Sequence, residues 1–272
     1  MPFTQSTALK IYYERQGEGV PVLYISGTGA DLRNKPNVLD GPLPKHADVV
    51  AYDQRGLGQT MIPEGPYTMV QCADDALDLM AGLGWARAHV IGVSFGGMVA
   101  LNLAARHPQV IDKLVLCCTS PGGSAPSYPF HQVPAHLSEA ERARFLLGIN
   151  DTRRDSAWQA ENAERVEKMI EYTVTNRALM MSDPTSRAGA HEQLLARAGH
   201  DVEAALGAMA MPTLICAGRY DDVASPANQE KMAQAMPNAR LQWYEGGHLF
   251  MVQDKQAWPD IIGFLTGGDA SG

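Results

Sequence analysis

The chain has 272 residues, 45% of them apolar, with 22 Lys and Arg against 30 Asp and Glu for a net charge of −8. That length buries a sizeable core in one domain with room for an insertion, and the acidic balance lacks the basic footprint that nucleic acid requires. No apolar run approaches the ~18 residues of a membrane span, so neither a membrane nor nucleic acid is an expected partner.

The first 15 residues lack a basic stretch followed by an apolar one, so no secretory signal is visible and a cytoplasmic location is expected. The four cysteines, Cys72, Cys117, Cys118 and Cys216, show no C-x-x-C spacing and are expected as reduced, buried small hydrophobes. No metal and no cofactor are expected. A small-molecule substrate is the expected partner, and a homo-oligomer is left open.

In chain order, short apolar runs at 9–13, 20–25, 48–52, 88–93, 114–118, 213–217 and 241–244 read as strands. Amphipathic stretches at 69–83, 95–106, 226–235 and 257–265 read as helices between them. Near-continuous apolar strands alternating with helices predict an α/β fold, a mostly parallel sheet covered on both faces. Thr68 and Gln71 have the spacing of a capping box.

The alternation stops after Ser120, where Pro121 to Pro126 reads as a loop. Four helical patterns follow without a strand, at 138–147, 155–171, 173–181 and 185–198. Ser138 and Glu141 form a second capping box, Pro184 marks a helix start, and Asp201 is placed to cap a short helix. The expected organisation is therefore a core of 1–120 and 211–272, with 121–210 inserted as a helical lid over the sheet's C-terminal edge.

Ser94 carries the chemistry. It lies in Gly92-Val93-Ser94-Phe95-Gly96-Gly97, a G-x-S-x-G motif with a strand before it and a helix after it, the context of a nucleophile elbow. Glycines let the chain turn sharply while the serine is held strained at the apex. The helix that follows points free N–H groups and a positive dipole end at any anion forming there.

A serine hydroxyl needs a base, and the base needs an orienting acid. Of the histidines, only His248 follows the last strand, in Glu245-Gly246-Gly247-His248. The acid belongs at another strand end, where Asp221 and Asp222 stand side by side. One is expected to face the histidine and the other to cap the helix after Pro226. For the developing oxyanion, the N–H of Phe95 is one donor. The loop Ser26-Gly27-Thr28-Gly29 supplies the other, with Thr28 the chosen residue.

Taken together, the oxyanion loop, Asp53-Gln54-Arg55-Gly56-Leu57-Gly58, the elbow, Gly218-Arg219-Tyr220-Asp221 and Gly246-Gly247-His248 resemble the α/β-hydrolase superfamily over nearly the whole chain. The resemblance implies an eight-stranded-type sheet, Ser94 as nucleophile, His248 as base and Asp221 rather than Asp222 as acid. It assigns Asp53 and Arg55 to holding a turn. Many members carry His-Gly where this chain has Ser26-Gly27. Within the superfamily the chain is similar to the enol-lactonase-like and small carboxylesterase branch. That similarity implies a serine hydrolase of a small carboxylic ester or lactone.

The alternatives are hydrolytic C–C cleavage of a vinylogous diketone, which the resemblance also allows, and a low-turnover binding module on the same scaffold. Trp158, Phe145, Met180 and Met181 are the candidate apolar wall of the substrate pocket. Arg153-Arg154 offers a carboxylate contact, against the commoner reading of a solvated charged face.

Overall fold

The computed structural model describes residues 3–5, 9–134, 136–180 and 184–267. Among them, eight strands make one sheet: β1 (Phe3–Gln5), β2 (Lys10–Gln16), β3 (Pro21–Ile25), β4 (Asp48–Tyr52), β5 (Ala88–Val93), β6 (Ile111–Cys117), β7 (Thr213–Gly218) and β8 (Ala239–Tyr244). Their order is β1-β2-β4-β3-β5-β6-β7-β8. β1 and β2 are antiparallel to their neighbours, and every other pairing is parallel.

Successive side chains of a strand point to opposite faces, and both faces are buried here. Leu23 and Ile25 of β3 pack with Val50, Val90 and Leu116 in one core, while Val22 joins Val49, Ile91 and Val115 in the other. Helices α1 (Met69–Gly82) and α2 (Phe95–Arg106) close the first core through Met69, Leu79, Met98 and Leu103. After the helical block described next come α7 (Pro226–Ala235), which adds Met232 to that core, and α8 (Phe250–Gln253). The last helix, α9 (Ala257–Thr266), closes the second core with α8 through Phe250, Ala257, Ile261 and Leu265. No described helix is long and apolar enough to cross a membrane.

Between β6 and β7 the chain runs through α3 (Glu139–Asn150), α4 (Ser156–Glu161), α5 (Ala163–Met180) and α6 (Pro184–Ala198), then a short 3₁₀ turn over Glu203–Ala208. Ala143, Leu147, Val166 and Ile170 form a small core of their own within this block. The expected capping boxes at Thr68/Gln71 and Ser138/Glu141 are both formed. Asp201, expected as a cap, lies one residue before the N-cap of the 3₁₀ turn, which is Val202 without a side-chain cap, although Asp201 Oδ1 accepts the Glu203 N–H.

Element ends shift by a few residues throughout, as with the strand expected at 9–13, which runs over Lys10–Gln16, and three differences have a physical reason. β1 was not anticipated, because three residues at a sheet edge carry too little pattern. The strand expected at 114–118 ends at Cys117, and Cys118 turns out of it with φ of 42°. The break expected before Thr173 falls instead at Asn162, between α4 and α5. Thr173 sits inside α5, its hydroxyl donating to the Met169 carbonyl one turn back, which lets a cap-prone residue sit mid-helix.

Candidate active site

The parallel strands deliver their C-terminal ends to one edge, and Ser94 stands at the end of β5. It has φ 53° and ψ −114°, a conformation that L residues rarely adopt. The strain is held by its surroundings: Ser94 N–H donates to the Cys117 carbonyl at 2.8 Å, and the Ser94 carbonyl accepts from the Thr119 hydroxyl at 2.7 Å. The tight turn also depends on missing side chains. A Cβ on Gly96 would lie 2.0 Å from the Ile25 carbonyl oxygen, and one on Gly92 would lie 2.5 Å from that of Gly96. Both clashes are with backbone, which cannot step aside.

The loops after β7 and β8 bring the other two residues to the serine. His248 Nε2 lies 3.0 Å from Ser94 Oγ, and His248 Nδ1 lies 2.8 Å from Asp221 Oδ2. The second carboxylate oxygen, Asp221 Oδ1, accepts the N–H groups of Val223 and Ala224 at 2.8 and 3.0 Å. Asp221 is buried and its carboxylate cannot rotate without losing both donors. With a carboxylate on Nδ1, the imidazole carries its proton there and presents a free lone pair at Nε2 to the hydroxyl. Asp222 takes neither expected role. It is exposed, its N–H donates to the Ile149 carbonyl, and the N-cap of α7 is Ser225 with no side-chain cap.

The oxyanion loop abuts the elbow. A Cβ on Gly27 would touch Ser94 Cβ at 3.7 Å, and the buried Gln54 amide anchors the loop by donating to the Ser26 carbonyl at 2.8 Å. Phe95 opens α2, so its N–H has no intrahelical acceptor. In the loop, the Gly29 N–H donates to Gln193 Oε1 and is therefore already engaged. Asp53 and Arg55 build the neighbouring turn: Asp53 accepts the N–H groups of Leu32 and Gln59, and Arg55 forks Asp75 at 2.6 and 2.8 Å.

Cys118 lies beside this group, its sulfur within 4.8 Å of the ligand atoms of Asp221 and His248. Such a trio resembles a metal set in residue type. The carboxylate and imidazole are nevertheless bonded to each other, and burial pushes the Cys118 thiol well above its ordinary pKa, away from the thiolate a metal takes.

The helical block touches the site through a strap at its first helix end. The Asn150 carbonyl accepts the His248 N–H at 2.6 Å, the Ile149 carbonyl accepts the Asp222 N–H at 3.0 Å, and the Thr152 N–H donates to the Tyr220 carbonyl at 2.9 Å. One segment thus holds both the loop that carries Asp221 and the loop that carries His248. Asp151, 1% exposed, fixes the strap by accepting from Arg153 Nε and Nη2 and from Gln253 Nε2. Burial alone would raise the Asp151 carboxyl, but the Arg153 hydrogen bonds outweigh it and hold the carboxyl below the usual range.

Of the four residues expected to line an apolar wall, the surroundings of Trp158 and Phe145 are defined. Trp158 packs on the block's own core between Arg154 and Arg165, and Phe145, 40% exposed, meets the Tyr128 ring. Met180 ends α5 and Met181 lies outside the described residues. Arg153 keeps its side chain 42% exposed, as the solvated-face reading expects, and it is not a free carboxylate ligand, because its fork is filled by Asp151 and its plane lies over Tyr220.

Three polar residues that the sequence reading passed over are buried nearby. His200 accepts at Nδ1 from Asn102 and donates from Nε2 to the Ser120 carbonyl, so burial lowers its pKa to about 4 and keeps it neutral. Gln193 and Arg197, from α6, reach the oxyanion loop itself. Their signal was weak, since Gln and Arg in an amphipathic helix ordinarily mark its solvent face.

The alpha/beta hydrolase fold family matches residues 20–255 of this chain, and the chain belongs to that family. A RutD protein of Caulobacter vibrioides, named as a carbamate hydrolase, is 30% identical over 97% of this chain and 98% of its own length. The enol-lactonase of Burkholderia xenovorans LB400 is 26% identical with a TM-score of 0.75, covering 97% of this chain and 100% of the other. A hydrolase of Pseudomonas aeruginosa PA01 is 30% identical with a TM-score of 0.73, covering 96% and 97% respectively.

Proposed function

We propose that this protein is a serine hydrolase of small carboxylic esters or lactones, working through an acyl-enzyme. The observation that carries the reading is the unbroken relay from a strained serine at the elbow through His248 to Asp221, at 3.0 and 2.8 Å. Similarity to an enol-lactonase supports the choice of substrate class.

In this reading Ser94 Oγ attacks the carbonyl carbon while His248 Nε2 takes the hydroxyl proton. The carbonyl oxygen becomes an oxyanion between the N–H groups of Phe95 and Thr28, each donor worth roughly 10²–10³ in rate. Collapse breaks the C–O bond, and His248 returns its proton to the departing alkoxide. Water then enters, His248 takes its proton as the water oxygen adds to the acyl carbon, and collapse breaks the bond from that carbon to Ser94 Oγ, to which His248 returns the proton as the acid leaves. Asp221 stays ionised throughout and balances the imidazolium. The helical block of 121–210 acts as the lid, and no cofactor is needed by these steps.

A panel of 4-nitrophenyl esters, lactones, aryl carbamates and a vinylogous ring-fission diketone tests the assignment. Turnover of esters and lactones, abolished in Ser94→Ala, is the expected result. Cleavage of the diketone or a carbamate with all esters and lactones inert would overturn it.

A further inference from the structure

Arg197 is 7% exposed and projects from α6 to the oxyanion loop. Its Nη1 donates to Thr28 Oγ1 at 3.2 Å, its Nε donates to Ser127 Oγ at 3.0 Å, and its plane lies 4.6 Å over the Phe130 ring. No carboxylate among the described residues pairs with it, and its Nη2 is buried with no acceptor. The acid whose field reaches it is Asp221, already committed to His248 and two backbone donors. Burial lowers the guanidinium pKa only to about 10, so it stays charged at neutral pH.

A buried cation without a counter-charge is costly, and folded chains pair such groups almost always. Arg197 does not stand alone in this. Gln193, one turn earlier, gives its Oε1 to the Gly29 N–H and leaves Nε2 buried without an acceptor. Ser186 leaves its hydroxyl buried without a partner as well. Positions 186, 193 and 197 are separated by seven and four residues, so they form one stripe along α6. Of these unmatched polar groups on one helical stripe, Gln193 and Arg197 reach the loop of Thr28 and Gly29, and together they are a donor surface awaiting an acceptor.

The hydrogen-bond directions specify the acceptor. Arg197 uses the oxygens of Thr28 and Ser127 as acceptors, so the protons of those two hydroxyls are free to turn toward a third group. Guanidinium and two hydroxyls then converge as donors on one small anion. A carboxylate fits this set: it is planar, accepts at two oxygens from a guanidinium fork, and its single charge balances the single cation. A phosphate dianion would leave one negative charge uncompensated next to Asp221.

We propose that Arg197, with Thr28 and Ser127, forms an anion subsite beside the oxyanion loop, and that the substrate carries a carboxylate near its scissile carbonyl. The proposal rests on the serine-hydrolase reading for the second half of that statement only. Arg197 also explains the orientation of the ester: with the carboxylate at the guanidinium, the carbonyl oxygen lies toward the N–H of the same Thr28. This makes Arg197 a residue of substrate selection, while the covalent steps remain with Ser94 and His248.

The test uses matched acid and neutral probes on each side of the ester bond. These are 4-nitrophenyl hydrogen adipate against its methyl ester, and 3-acetoxybenzoate against methyl 3-acetoxybenzoate. Wild-type protein is expected to favour one acid over its neutral partner by ~10–100-fold in kcat/KM, the range of a hydrogen bond to a charged group. Arg197→Met should bring that ratio close to one, chiefly through KM, and Arg197→Lys should keep part of it. Packing loss alone would lower acid and neutral rates together and leave the ratio unchanged.

Calorimetric binding of the same four probes to Ser94→Ala separates the two claims. Acid-selective binding that Arg197→Met abolishes supports the subsite even if no ester is turned over, a result that would remove only the hydrolase reading. Should Arg197→Met fail to fold in a thermal melt, the wild-type and Arg197→Lys ratios decide. Ratios near one for both probe pairs in wild type, with no selective binding to Ser94→Ala, overturn the subsite.

Discussion

Replacing Asp221 by Asn changes one atom and should silence the enzyme, for a reason the hydrogen bonds specify. Oδ1 faces two backbone donors, the N–H groups of Val223 and Ala224. An amide NH₂ placed there would oppose both, so the asparagine must put its oxygen at that position. Its NH₂ then lies where Oδ2 was, 2.8 Å from His248 Nδ1. Facing a donor, the imidazole must accept at Nδ1 and carry its proton on Nε2, toward Ser94. A base that already holds its proton cannot take another from the hydroxyl. The expected loss is about 10⁴-fold in kcat. Stability should fall by only about 1–3 kcal/mol, because geometry is kept and one charge-assisted hydrogen bond is weakened. Asp222→Asn, at an exposed position whose backbone alone is engaged, should keep kcat within about three-fold, since surface substitutions away from such features are near neutral. Steady-state rates on a 4-nitrophenyl ester and urea melts of both variants are the assay. A tenth of wild-type activity in Asp221→Asn, or an inactive Asp222→Asn, would refute this reasoning.

Asp151→Ala should free Arg153 and Gln253 and slacken the strap that holds the loops of Asp221 and His248, lowering kcat by about 10–100-fold, as expected for small misplacements of reacting groups. Unchanged kcat in a well-folded variant would contradict that role. His200 is held neutral by burial with a pKa of about 4, below its unfolded value, so the unfolded chain takes up the proton first. Its contribution is complete above about pH 6.5 and is lost as pH falls toward 4, on the order of 3 kcal/mol. Urea melts over that range should slope steeply for wild type and less for His200→Gln, whereas parallel slopes would contradict the assignment.

The core of the fold was legible because a β-strand buried on both faces must be a nearly continuous apolar run, as at 49–52, where every residue is buried. The elbow was legible because its strained turn admits few sequences around Ser94. What escaped were features defined only by tertiary partners. Asn102 and His200 are 98 residues apart, and nothing local marks them as a buried pair. The Asp-Thr-Arg-Arg stretch reads as surface charge until the fold folds Asp151 inward against Arg153. Asp222 lies before a helix start and looks like its cap, yet Ser225 stands closer to the first turn. Arg197 follows the same logic. On an amphipathic helix it belongs outside, and only the packing of α6 against the oxyanion loop turns that face in.

The central claim is that Ser94 is a nucleophile activated by His248, and covalent capture tests it without knowledge of the substrate. Wild-type protein treated with a serine-directed alkyl phosphonate should gain one adduct mass, located by peptide mass spectrometry on the segment containing Ser94. Ser94→Ala should gain none, and His248→Ala should label at least ~10²-fold more slowly, the lower bound for loss of a general base. An adduct on any other serine in wild type, or equal labelling of the Ser94→Ala protein, would contradict the account.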